Sequence, residues 1–156
     1  MRAPRELDEA GRTEQLLQKW ADGKATLREV RGYTDDELYA IARTAWVFFH
    51  QGRIPQARTL FQGLYAVNPV DPYFARALGV VEFAAGNPQG SLAAWDIALK
   101  LDPNDASAWL GRAEVKIASN QKAQAVEDLR RGLQVAKPED PIKPRISALL
   151  ALLTRR

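Results

Sequence analysis

The sequence predicts an all-α protein: three helix pairs stacked into one core, with a further helix at each end. Three observations carry this. Small and bulky residues recur at one fixed interval, helix-stop residues recur at the same interval, and reactive side chains are almost missing. The length of 156 residues suits a single domain. A hydrophobic share of 46% with 26% charged residues fits a folded chain and excludes long disorder. Cysteine is absent and His50 is the sole histidine. That removes disulfides, Cys or His zinc clusters and most nucleophilic triads.

The first element is an amphipathic helix over about 6–21. Leu7, Ala10, Leu17 and Ala21 lie near one face, with Leu16 and Trp20 beside them. Asp22-Gly23-Lys24 breaks it, and Thr26 to Val30 suit a short further turn. Two readings stay open: a cap over the first helix pair, or a self-association or partner-docking helix, with Leu7, Leu16, Leu17 and Trp20 as the self-association residues.

The interval is 34 residues. It separates Ala57, Ser91 and Ala125, then Phe61, Trp95 and Leu129, then Ala45, Gly79 and Ala113, and finally Gly52, Gly86 and Asn120. Pro69, Pro103 and Pro138 mark the ends of successive units, the last one residue late. Each unit reads as two helices. Thr34 and Glu37 form a capping box that opens a helix ending near Gly52. Pro55 suits the first turn of the second, which stops before Pro69. Asp71 with Pro72 opens the third, Asn87 with Pro88 the fourth, and Asp105 the fifth. The sixth spans about 122–136. Small residues allow each pair to approach closely, and the bulky column fills the gap between pairs. A last helix over about 141–154, apolar at Ile142, Ile146, Leu149, Leu150 and Leu153, is expected to close the stack.

This signature resembles the tetratricopeptide repeat (TPR): bulky–small–aromatic in the first helix, small–aromatic–small in the second, then proline. The resemblance implies a right-handed superhelix. It divides the chain into an N-terminal helix and linker (1–33), three repeats (34–138; about 36–69, 72–103 and 106–138) and a C-terminal capping helix (139–156).

In such stacks the first helix of each pair lines the concave side. Helical spacing then turns Tyr39, Ala42, Trp46 and Phe49 into the groove, followed by Tyr73, Arg76, Val80 and Phe83. The third helix adds Ser107, Leu110, Glu114 and Ile117. This face is apolar and aromatic, as a peptide-binding groove requires, although an apolar stripe also serves as core. TPR domains that hold charged chaperone C-termini use Lys, Asn and Arg here. Ala42, Trp46, Ser107 and Gly111 do not supply them, so an apolar ligand is expected.

The layout over about 13–136 is similar to the class II chaperones of type III secretion systems, small cytoplasmic proteins that hold hydrophobic translocators before export. The likeness rests on the stretch from Leu17 to Ala42 with its loop Ala21–Leu27 and Tyr33-Thr34-Asp35-Asp36-Glu37-Leu38-Tyr39. It also rests on Gly52, Ala57, Leu60-Phe61-Gln62 and Leu64, and on Tyr73-Phe74 with Leu78-Gly79. It implies an extended client segment in concave pockets, with Trp46 and Phe49 matching two pocket aromatics. Ala42 departs from the family's frequent tyrosine. It also implies dimer contacts through the N-terminal helix.

The expected function is therefore a cytoplasmic holdase for secreted translocator proteins. The alternative is a general TPR scaffold, or a needle-subunit chaperone holding an amphipathic helix. No catalysis, metal or cofactor is expected. His50 sits at a helix end, and Asp35, Asp36 and Asp105 read as helix-start residues. A net charge of +3 without a basic stripe argues against nucleic acid. The short apolar runs, such as 45–49 and 147–153, argue against stable membrane association.

Overall fold

The computed structural model describes residues 9–155. They form nine helices and no strand: α1 (Glu9–Ala21), α2 (Leu27–Arg31), α3 (Asp35–His50), α4 (Ile54–Val67), α5 (Pro72–Ala84), α6 (Pro88–Leu101), α7 (Ala106–Ala118), α8 (Lys122–Val135) and α9 (Lys143–Thr154). The pairs α3–α4, α5–α6 and α7–α8 are the three repeats, and consecutive pairs pack through α4–α5 and α6–α7.

Helix starts follow local chemistry. Thr34 and Glu37 satisfy each other's backbone N–H, and Thr26 with Glu29 repeats the device at α2. Asp71, Asn87 and Asp105 accept from the exposed N–H groups of α5, α6 and α7. The stops are equally local. Gly52, Gly86 and Asn120 all take positive φ, at 74°, 77° and 61°, which ends the first helix of each pair in a tight turn.

The recurring columns are core. Ala45, Ala57, Ser91, Ala113 and Ala125 are fully buried, and the Ser91 hydroxyl donates to the Gly79 carbonyl at 2.6 Å. Phe61 packs with Phe74 and Ala77 of the next pair, and Leu129 packs with Ile146 of α9. Burying a side chain of this size contributes about 1.5–3 kcal/mol. Trp95 lies between α5 and α7. A Cβ at Gly79 would meet its ring at 2.7 Å, and one at Gly111 would also collide with it. The indole fits because both positions are glycine.

Buried ions brace the second and third repeats. Glu82 receives hydrogen bonds from Arg58, Gln62 and Asn87. Asp128 is paired with Arg112 and Lys116, while Arg112 also reaches Asp96. Burial pushes the Glu82 carboxyl up, but its three hydrogen-bond donors outweigh that and hold it below the usual carboxylate range.

The two ends differ. The last helix starts at Lys143, two residues after the expected start, because Asp140 accepts from the Ile142 N–H and Pro144 occupies the first turn. It lies on α8 with Ile146 buried. At the other end α1 packs chiefly on α2. The expected start near residue 6, and with it Leu7, lies outside the described residues. An open apolar cavity of about 220 Å³ remains on the outer side of the first repeat, between Tyr33, Ile41, Leu60 and Val67.

Candidate peptide-binding groove

The concave wall is built by α3, α5 and the start of α7, joined by polar struts. The Tyr39 hydroxyl donates to Asp71 at 2.6 Å, and the other Asp71 oxygen caps α5 at the Tyr73 N–H. One repeat on, Arg76 Nη1 donates to Asp105 at 2.9 Å, and the other Asp105 oxygen caps α7. Each cap thus also ties its helix to the preceding repeat. The hydrogen bond to Asp71, with partial burial and the nearby negative charge, pushes the Tyr39 phenol up to about 12.

Aromatic rings line the wall. Trp46 Nε1 donates to the Tyr73 hydroxyl at 2.8 Å. Trp46 meets Phe49 edge to face at 5.4 Å and Phe61 at 4.8 Å. Tyr39 meets Tyr73 edge to face at 5.4 Å. These contacts hold the rings in place before any ligand arrives, which lowers the ordering cost of binding. Phe83 stands 41% exposed, and His50 is exposed at the end of α3 beside Trp46 and Phe49.

A cavity of about 220 Å³ opens among these groups. Trp46, Tyr73, Arg76, Val80 and Ser107 of the expected groove line it, together with Ala77 and Trp95. The volume suits one side chain rather than a whole small-molecule ligand. The 34-residue spacing makes Trp95 a filler between repeats, yet it also lines this cavity. The sequence signal was Gly111, which lies 32 residues after Gly79 and so falls off the 34-residue period.

Two expected groove residues are core instead. Ala42 and Leu110 are 1% and 4% exposed. The reason is register. Leu38, Ala42 and Ala45 form the buried i, i+4, i+7 stripe of α3, and Ala106, Leu110 and Ala113 form the same stripe of α7. Arg76 occupies the corresponding position of α5, but its long side chain carries the guanidinium out to Asp105. The third repeat contributes little open wall. Glu114 is ion-paired with Arg145 of α9, and Ile117 packs in the cluster that α9 completes. Of the expected self-association residues, Leu16 is half-buried and Leu17 is 45% exposed. Leu7 and the Trp20 side chain lie outside the described residues.

The tetratricopeptide repeat family model matches residues 43–95 and 76–141, which together span more than half of the chain. The chain belongs to the tetratricopeptide repeat family. Its TPR fold is similar to that of the translocator chaperone SycD from Yersinia enterocolitica, at 21% identity and a TM-score of 0.78, over 82% of this chain and 98% of that one. SycD in complex with a peptide of the translocator YopD matches at 20% identity and a TM-score of 0.71, over 77% and 94% of the two chains. PcrH from Pseudomonas aeruginosa matches at 18% identity and a TM-score of 0.73, over 78% and 95%. No curated protein matches the sequence. Among the described residues, no helix is long and apolar enough to cross a membrane.

Proposed function

We propose that this TPR protein is a type III secretion chaperone, a holdase that binds an extended apolar segment of a secreted translocator along the concave face of its first two repeats. The observation that carries this is the preordered aromatic cavity between Trp46, Tyr73, Val80 and Trp95. Its likeness in fold to SycD, which has been solved with a YopD peptide, supports the same reading. The reading is non-enzymatic: binding shields apolar client surface and needs no bond-making step. It places the protein in the cytoplasm, where a client is held before export.

An array of peptides from candidate exported proteins tests it. Short, proline-containing apolar segments of about six residues should bind. A requirement for about twenty or more helical residues would instead favour the amphipathic-helix scaffold.

A second proposal concerns self-association. Leu17 of α1 is exposed, and so are Tyr33 and Ile41 beside the open apolar cavity of the first repeat. These surfaces suit a homodimer through the N-terminal end. Light scattering of Leu17→Glu should show a lower mass than the parent, and an unchanged mass would remove α1 from the interface.

A further inference from the structure

Two hydrogen-bond donors in the walls of the concave cavity have no acceptor. The Trp95 indole Nε1 and the Arg76 Nε are both shielded from water and unpartnered, and both residues line the cavity. An unsatisfied buried donor is costly and uncommon, so it calls for an explanation.

The surroundings show why the fold does not supply an acceptor. Trp95 is held between Gly79 and Gly111, where its ring leaves no room even for a Cβ. It cannot swing to a new partner without dismantling that contact. The Gly79 carbonyl beside it already accepts from Ser91. The Arg76 guanidinium spends Nη1 on Asp105, and that carboxylate is also committed to the start of α7. Trp46, the other indole of the cavity, is satisfied by Tyr73. On this cavity the unpaired donors belong to Trp95 and Arg76, while a third, Arg28 Nε of α2, is outside its lining; what the cavity lacks is an acceptor.

The acceptor's charge can also be argued. Asp105 already balances Arg76 at 2.9 Å. Apart from the neutral Ser107, the other walls are apolar or aromatic, so a carboxylate entering here would be desolvated without an unpaired cation to meet it. A neutral carbonyl avoids that cost. An extended segment presents such carbonyls at regular intervals beside its side chains.

We infer that Trp95 Nε1 and Arg76 Nε are the anchoring donors of the groove, and that they receive a main-chain carbonyl of an extended apolar segment whose neighbouring side chain fills the cavity. This rests on the groove reading above and adds the recognition chemistry. It makes Trp95 a ligand-contacting residue as well as core, and it makes the pocket selective for extended backbone. A helix already uses its carbonyls internally.

The test uses the full chain with 15N-labelled tryptophan. The probe is the tightest binder from an array of apolar, proline-containing eight-residue peptides. On binding, the Trp95 indole N–H resonance should move downfield and exchange more slowly with water. Each peptide carbonyl is then replaced in turn by a methylene. One replacement should weaken binding to the parent protein about ten-fold but change binding to Trp95→Phe less than about two-fold, since the donor is already gone. Arg76→Lys, which keeps the charge but lacks Nε, should also blunt that replacement. A peptide that binds while the Trp95 resonance stays fixed, or equal losses in parent and variant at every carbonyl, overturns the assignment and leaves the groove reading standing. No binding by any peptide overturns both. Should Trp95→Phe fail to fold, the assigned parent resonance decides alone.

Discussion

The concave wall of the first two repeats and the end of the third share one 34-residue template, but they use it differently. In the first two, aromatic rings meet across α3 and α5 and leave a cavity open. In the third, Glu114 is paired with Arg145, Ile117 is packed with α9, and Asp128 is locked by two cations. Repeat geometry alone therefore does not leave an open cavity. What matters is which side chains occupy the groove column, and whether a following helix covers them.

The largest expected effect is on the closed end. Asp128→Ala leaves Arg112 and Lys116 facing a buried site without their shared carboxylate. Unfolding in urea should show a loss of about 3–5 kcal/mol. A loss below about 1 kcal/mol would mean that this network braces nothing. Ile146→Ala comes next. Its side chain is fully buried against α8, so about 3 kcal/mol should be lost by the same measurement. Peptide affinity of both variants, measured where they remain folded, should stay near that of the parent. An affinity loss matching the stability loss would show that the two regions are one unit.

The open wall should respond in the opposite way. Trp46→Ala and Phe83→Glu should each weaken client-peptide binding by about 2 kcal/mol or more, while the helical circular dichroism stays unchanged. Loss of helix in both would assign these residues to the core and remove the contrast.

Smaller effects come from titration. The folded-state pKa of Glu82 is lowered, so its contribution is complete above the unfolded value near 4.5 and is lost as pH falls through the lowered one. Glu82→Gln should flatten that acid limb of the stability profile. The Tyr39 phenol is raised to about 12 from an ordinary 10.0, so its contribution is complete below pH 10 and is lost between pH 10 and 12. Tyr39→Phe should remove this alkaline limb and cost about 1 kcal/mol at neutral pH.

Much of the fold was legible because its causes are local. Thr34 with Glu37, Asp71, Asn87 and Asp105 act within a few residues, and so do the positive-φ stops at Gly52, Gly86 and Asn120. The groove was legible only in part. Helical spacing separates one face from another but does not say which of two apolar faces meets the partner helix. Hence spacing alone points Ala42 and Leu110 into the groove, whereas both are buried in the core. Tyr39, Trp46, Tyr73, Arg76 and Val80 did reach the wall, though their struts to Asp71, Asp105 and to one another are long-range pairings that no spacing rule specifies.

By itself the sequence determined the repeat length, the helix pairs, their caps and stops, and the small and bulky columns that stack them. These follow from short-range backbone chemistry and from periodic burial. Only the tertiary structure decided that Trp95 passes between Gly79 and Gly111 to line the cavity, and that α9 draws Glu114 and Ile117 out of the groove. Both outcomes depend on side chains meeting across different helices, where packing distance and available volume choose the partner.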